Sequence, residues 1–427
     1  MFKANFCKVF AALSVALVTQ QVHAAAFNLN EHSASGLGRA FAGEGAIADN
    51  ASVLSRNPAA MTRFKRMELS LAGTYIKPNI DLKGREAIPA LGISQTQLDA
   101  NDIAPSAFVP AGYFIQPINE QWAWGLGIFT NYGLSSEFDD NYAAGLIGGK
   151  TELTTLNFNP NLAYRINEQW SIGAGISAIY ADATLIRRAG AVSPKAPSTE
   201  LVNISGDTLD WGWNIGTLFE LNDANRWGLT YRSGTTLSFQ GDFTGKAAGV
   251  QSVSPLTFKT VTGDLDLELP AIAEFSGYHL LTPQVAIHYS VQWTDWSKFN
   301  ELRATSSGCN DGTAGQCFKK TEDFSDSFRY AIGTSYYLNE QWTLRAGLAL
   351  DEQAAHDVIS IPDTERLWYS VGTSYQFTPA LGVDLGLAYL DGKDVNIDES
   401  LGSGLPTAKY SSSASAFLAS AQVNYRF

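Results

Sequence analysis

Segment after segment of this chain alternates between large apolar side chains and small or polar ones. Trp342, Leu344, Ala346, Leu348 and Leu350 share one face of an extended segment, and Thr343, Arg345, Gly347, Ala349 and Asp351 share the other. Leu209, Trp211, Trp213, Ile215 and Phe219 oppose Asp210, Gly212, Asn214 and Gly216. Val383, Leu385, Leu387 and Tyr389 oppose Asp384, Gly386 and Ala388. A period of two is the side-chain geometry of a β-strand. Between such segments a polar turn recurs: Ile118-Asn119-Glu120-Gln121-Trp122, Ile166-Asn167-Glu168-Gln169-Trp170 and Leu338-Asn339-Glu340-Gln341-Trp342. Variants begin at Leu221-Asn222-Asp223, Leu281-Thr282-Pro283 and Phe377-Thr378-Pro379. Tight polar turns between alternating runs predict β-hairpins.

A soluble sandwich also alternates, but its apolar face is the inside of a core. Here Trp122, Trp170, Trp227 and Trp342 each follow a tight turn, which sets them in one ring at one level. Such a ring is the aromatic girdle of a barrel whose apolar face meets lipid. The mean hydropathy of −0.07 is then the average of two opposed faces. After residue 24 no apolar run is long enough for a membrane helix of about 20 residues.

Residues 1–24 read as an export signal: Lys3 and Lys8, the apolar run Val9–Val18, then Val22-His23-Ala24 as a small-residue cleavage site. Cys7 leaves with it. Cys309 and Cys317 form an even pair in an exported chain, either one small-loop disulfide or two free thiols. With 42 acidic and 29 basic residues the net charge of −13 argues against a nucleic-acid partner.

Six hairpins, one strand before them (Glu68–Lys77) and one after (Ser413–Phe427) make an even-numbered set. The fold class expected is all-β, a 14-stranded antiparallel transmembrane β-barrel, with 68–427 as barrel. Both termini then lie on the short-turn, periplasmic side. The connections Asn131–Lys150, Thr184–Gly206, Thr244–Lys259 and Ser306–Lys319 are expected as long outer loops. The final strand ends on aromatic Phe427, a feature that barrel-insertion machinery would read. Lipid and lipopolysaccharide would surround the wall. A barrel of this size is wider than side chains fill. Residues 25–67 do not alternate and carry short helical patterns of small residues, which suits a plug, or hatch, in the lumen; a periplasmic tail is the alternative.

Phe27-Asn28-Leu29-Asn30-Glu31, Ser35-Gly36-Leu37-Gly38-Arg39-Ala40, Gly43-Glu44-Gly45-Ala46-Ile47-Ala48-Asp49 and Arg56-Asn57-Pro58-Ala59 resemble the hatch of the FadL family. Its members are long-chain fatty-acid transport proteins of the Gram-negative outer membrane. Asp102-Ile103-Ala104-Pro105, Asn131-Tyr132-Gly133-Leu134, Tyr231-Arg232-Ser233 and Ile359-Ser360-Ile361-Pro362-Asp363 extend the resemblance along the mature chain.

The resemblance implies passive uptake of a long-chain fatty acid or similar hydrophobic ligand. Arg187 and Lys320 match the family's basic pair for the ligand carboxylate, with Arg188 and Lys319 beside them. Phe27 matches the hatch N-terminus under the pocket, and Asp351 matches an acidic position that holds that segment. Thr130-Asn131-Tyr132-Gly133 matches an inward kink of the third strand that opens the wall sideways. Ala107 and Thr130 line that opening, and Asn57-Pro58-Ala59 matches the hatch contact with the kink. One departure is the connection Thr184–Gly206, shorter than in the best-known fatty-acid transporter. The family's surface groove, built from it and from Thr244–Lys259, is therefore not carried over.

No clustered nucleophile and base, phosphate loop or metal-ligand spacing is present, so no enzyme, cofactor or metal is expected. His288 opposes an apolar face and is expected as a satisfied lumen residue. Two other readings remain: a channel for small aromatic hydrocarbons, as some relatives are, and an adhesin or phage receptor.

Overall fold

The computed structural model describes residues 26–244, 260–310, 313–355, 358–402 and 404–427. The expected leader 1–24 and connection 245–259 lie outside them. The rest forms a closed 14-strand antiparallel barrel around an N-terminal helical and loop segment. Eight spans are single strands: Glu68–Gly84, Ala107–Pro117, Gly149–Arg165, Trp170–Arg188, Glu200–Asn222, Trp342–Asp351, Arg366–Gln376 and Thr407–Arg426. Six are broken once: Trp122–Phe129 with Gly133–Glu137, Asn225–Arg232 with Thr235–Thr244, Thr260–Leu269 with Ile272–Thr282, Val285–Thr294 with Glu301–Asn310, Ala314–Thr321 with Ser327–Tyr337, and Leu381–Gly392 with Val395–Ser400. First and last spans close the ring, in register from Glu68 opposite Arg426 to Gly84 opposite Tyr410.

The repeated turn has one physical cause. Asn167 Oδ1 accepts from the backbone N–H groups of Gln169 (2.9 Å) and Trp170 (2.8 Å). Asn119 and Asn339 do the same at the same distances. In the Leu-Thr-Pro and Phe-Thr-Pro variants the hydroxyls of Thr282 and Thr378 take over, accepting from Val285 and Leu381 at 3.1 Å. These are Asx and ST turns, in which a short polar side chain stands in for a backbone acceptor.

Past each turn the tryptophan pairs across the ladder with another ring. Trp122 faces Tyr164, Trp170 faces Phe219 and Trp342 faces Tyr375, with centroids 4.6, 4.8 and 4.6 Å apart. The apolar faces read from the sequence are the outward ones: Trp211, Trp213, Leu344, Leu348, Leu385 and Leu387 are exposed.

Three expected loops are partly strand. Thr184–Gly206 shrinks to 189–199, because Trp170–Arg188 and Glu200–Asn222 pair up to Arg188 opposite Glu200. Asn131–Lys150 contains the strand Gly133–Glu137. Ser306–Lys319 lies in the hairpin of Glu301–Asn310 and Ala314–Thr321, and Cys309 and Cys317 are disulfide-bonded across it. The first and last strands also run longer than expected. In these outer parts the outward face meets water and the inward face an apolar core, with Leu82, Leu185, Val202 and Ile204 buried. The apolar side of the strand switches, so the lipid-facing pattern breaks off while the hydrogen-bonded ladder continues.

The segment from Ala26 to Phe64 is almost wholly buried. It has helices Ala34–Leu37 and Glu44–Ile47 and 3-10 turns Ala51–Ser55 and Pro58–Arg63. Its backbone N–H groups bond to inward side chains around the ring: Ala34 to Gln422 (3.0 Å), Gly43 to Ser290 (2.8 Å) and Ala51 to Ser70 (3.1 Å). It therefore occupies the lumen. Inward glycines let it approach: a Cβ on Gly347 would sit 2.1 Å from the Arg39 carbonyl carbon.

Asn167→Ala should lower the unfolding free energy by about 1 kcal/mol, one net hydrogen bond. Asn167→Thr, which restores the hydroxyl used at positions 282 and 378, should recover most of it. Urea unfolding in lipid vesicles measures both; equal losses would show that the side-chain acceptor is not what the repeat supplies.

Candidate functional site

The third span sets the site. Trp122–Phe129 and Gly133–Glu137 both pair with Gly149–Arg165, from Phe129 opposite Asn157 to Gly133 opposite Thr154. Four steps along one strand meet three along the other, so one extra residue bulges. On its other edge the span pairs with Ala107–Pro117 only between Gly112 opposite Ile128 and Pro117 opposite Ala123. Ala107–Ala111 keep partners only in the first span, from Ile76 opposite Ala107 to Ala72 opposite Ala111. The wall is unzipped between residues 107–111 and the third span above Ile128.

The N-terminal segment takes the missing partner's place. Leu29 N–H donates to Asn131 O (2.7 Å) and Gly133 N–H donates to Phe27 O (2.9 Å). Asn28 Nδ2 donates to Asn131 O (3.3 Å). His32 Nε2 lies 3.0 Å from Thr130 O, which can only accept, so this nitrogen carries the proton. Opposite, Thr130 Oγ1 donates to Thr155 O, and Thr155 Oγ1 donates to Tyr132 O. Ala107 and Val109 are buried in the same apolar cluster as Leu29, which stoppers the gap.

Above lies a small, partly open apolar cavity of about 50 Å³, lined by Phe27, Leu134, Leu153, Leu185, Phe239 and Phe299 among others. The Phe27 ring stands edge-on to Trp296 (4.6 Å), Phe299 (5.3 Å) and Tyr132 (6.1 Å). Phe27 thus lines the cavity with its side chain and holds the kink with its carbonyl.

Arg187 and Lys320 each bond a residue at or next to the lining of this cavity, and both lie near the carboxylates of Glu322 and Glu399. Arg187 is buried, and its guanidinium donates to Lys150 O (3.1 Å), Ile186 O (2.8 Å) and the cavity-lining Thr151 Oγ1 (3.1 Å). Lys320 Nζ donates to the hydroxyl of Ser360 (3.2 Å), the neighbour of cavity-lining Ile361. It lies 3.3 Å from Glu399 and 3.5 Å from Glu322. Arg187 feels the same two carboxylates. Burial pushes the Glu322 carboxyl above the usual carboxylate range, and Lys320 pulls it the other way. By contrast Arg188 pairs outward with Asp140 (2.9 Å), and Lys319 with Glu301 (2.6 Å).

Asp351 is fully buried in the lumen, accepts from Trp368 Nε1 (2.8 Å) and forms an ion pair with the Arg329 guanidinium (2.8 Å). It reaches the inner segment indirectly, through the Arg329 bond to Ala40 O (3.0 Å). The expected contact of Asn57-Pro58-Ala59 with the kink is corrected. Asn57 Nδ2 donates to Gly45 O and Thr217 O, and Pro58 and Ala59 pack against Gly173. The kink is bonded instead by residues 27–32, because only that extended stretch presents free backbone edges to it. His288 is buried against the Ser335 hydroxyl (2.9 Å).

Sequence reading did not find Asn28, His32, Glu322 or Glu399. Their neighbourhoods carry no periodic pattern, and a lone histidine or glutamate has no spacing signature. Among the described residues no cluster of potential metal ligands occurs. Among the described residues no helix is long and apolar enough to cross a membrane.

The family model described as "Outer membrane protein transport protein (OMPP1/FadL/TodX)" matches residues 15–427. The chain is 41% identical to a long-chain fatty acid transport protein of Escherichia coli O6:H1, over 100% of this chain and 99% of the relative. It is 44% identical to a 47 kDa outer membrane protein of Pasteurella multocida, over 99% of each. The crystal structure of a Pseudomonas aeruginosa FadL homologue superposes with a TM-score of 0.81 at 21% identity, covering 94% of this chain and 99% of that one.

Leu29→Pro removes the N–H that donates to Asn131 O. Hydrogen exchange at the Gly133 amide should then quicken at least about tenfold, with Trp122–Phe129 still protected. Unchanged exchange at Gly133 would mean that the N-terminal segment does not hold the kink.

Proposed function

We propose that this chain, which belongs to the OMPP1/FadL/TodX family of outer membrane transport proteins, carries long-chain fatty acids passively across the outer membrane and releases them sideways through its wall. The observation that carries this reading is the double duty of Phe27, whose ring lines the apolar cavity and whose carbonyl bonds the kink.

An acyl chain entering the cavity competes with the Phe27 ring for the surface of Trp296 and Phe299. Burying about 16 methylenes yields on the order of 13 kcal/mol before the costs of binding, enough to displace one ring and a few backbone bonds. When Phe27 moves, Gly133 loses its acceptor. The Leu29 stopper beside Ala107 and Val109 then follows, because only one residue separates it from Phe27. The ligand leaves through the unzipped stretch toward lipid. The acid group is held meanwhile by Arg187 and Lys320, since an unpaired carboxylate in such a cavity is costly. No energy source is built into the chain, so transport runs downhill.

The same reading orients the molecule. Residues 1–24 are an export signal, 25–67 the hatch and 68–427 the barrel. The tight turns and both mature termini face the periplasm, and the long hairpins with the Cys309–Cys317 bridge face outward. Phe427 serves the barrel-insertion machinery, and lipid with lipopolysaccharide surrounds the outward aromatic faces. The cations Arg187 and Lys320 favour an anionic ligand over a neutral aromatic hydrocarbon. A role as phage receptor or adhesin would use the outer hairpins and leave transport intact.

Ala107→Asp should abolish labelled oleate uptake in a strain lacking its own transporter while the purified protein still binds oleate. Normal uptake by this variant would refute the lateral route. Competition of toluene against oleate separates the hydrocarbon reading.

A further inference from the structure

The cation pair is already neutralised. Lys320 and Arg187 bring two positive charges, and Glu322 and Glu399 bring two negative ones. The Glu322 side chain is completely buried, and neither of its carboxylate oxygens has a hydrogen-bond partner. Its backbone N–H is tied to Asn300 O at 2.7 Å, so the residue is held in place. Glu399 uses Oε2 to accept from Ile359 N–H (2.7 Å), and its buried Oε1 has no hydrogen bond. Among the described residues, the other titratable groups near the pair are the phenols of Tyr142 and Tyr410 near Glu399, bonded to each other at 3.3 Å. Neither supplies a positive charge.

A ligand anion arriving here makes three negative charges against two positive ones, beside a Glu322 carboxylate that is itself wholly buried. An excess buried charge is costly, and two carboxylates that share one ammonium resolve it by sharing a proton. We propose that the Glu322–Glu399 pair takes up one proton when an anionic amphiphile binds between Arg187 and Lys320. The freed ammonium then turns from its internal carboxylates to the ligand head group. This inference rests on the reading of Arg187 and Lys320 as the head-group site. It makes the site bind most tightly in mildly acidic surroundings, and it makes release into a more basic compartment favourable.

The probe is decanesulfonate, whose head group stays anionic throughout the working pH range, so any proton taken up must sit on the protein. Titration calorimetry of the full chain in maltoside micelles, in phosphate and in Tris at pH 5.5 to 8.5, reads the protons bound per ligand. About one proton is expected, with affinity falling about tenfold per pH unit above the titration of the pair. Glu322→Gln should bring the uptake close to zero and flatten the pH profile. Glu399→Gln should do the same, which guards against a folding defect in either variant. Sulfonate binding without proton uptake overturns the proposal, as does uptake that survives both substitutions or failure of the sulfonate to bind at any pH. Unchanged binding in the Arg187→Ala, Lys320→Ala double variant would instead overturn the head-group reading on which it rests.

Discussion

Wall arginines gripping the inner segment are the interaction on which the rest of the structure depends. Helices of four residues leave nearly all their backbone groups without intrahelical partners. Buried in a lumen, each unmet carbonyl would cost on the order of 1–3 kcal/mol. The wall supplies the donors. Arg226 reaches the carbonyls of Ala46 and Ile47, both at 2.6 Å. Arg329 reaches Ala40, Arg232 reaches Ser55, Arg165 reaches Thr62 and Arg426 reaches Asp49. Their own charges are met by acids such as Asp351 and Glu220, and Arg226 stacks on Tyr278 at 3.7 Å. Ring and contents are therefore one folded unit: without the segment, several guanidinium groups would lose their acceptors.

The same economy explains which parts were legible in the sequence. The repeated turns carry a local chemistry that a short motif can hold, an Asn or Thr accepting from the residues just after it. The lipid-facing alternation was legible because lipid and lumen impose opposite demands on successive residues. From these two signals the strand count follows. The breaks at Ser233-Gly234 and Pro270-Ala271, and the outer hairpins, were not legible, since there the apolar face turns from the lipid to the inner cavity and the lipid-facing pattern breaks off.

The site was legible only in part, for a different reason. Arg187 and Lys320 could be placed through their resemblance to a known pattern, and both lie near Glu322 and Glu399. Glu322 and Glu399 could not, because their meaning lies in a juxtaposition of residues 77 positions apart. Asn57 shows the converse. Its motif was legible, but its partners, Gly45 and Thr217, are set by how the lumen is filled. A motif fixes the residue's chemistry and leaves its neighbours to the fold.

The distribution of the arginine bonds also says where the inner segment can yield. Wall arginines hold carbonyls from Ala40 to Thr62, and among the described bonds none reaches residues 27–31. Those residues are held by the backbone bonds of Phe27 and Leu29 to the kink, by Asn28, and by Arg56 of the same segment, which donates to Asn30 (2.6 Å). The difference matters energetically. Pulling Ala40 or Ile47 away would strand a guanidinium in the lumen, at several kcal/mol. Pulling Phe27 away exchanges a few neutral hydrogen bonds, each worth about 1 kcal/mol net. The stretch that touches the cavity is thus the stretch least anchored to the wall, and it ends where the first wall arginine takes hold. A plug built in this way can give up its tip to a ligand and keep the rest of the lumen closed.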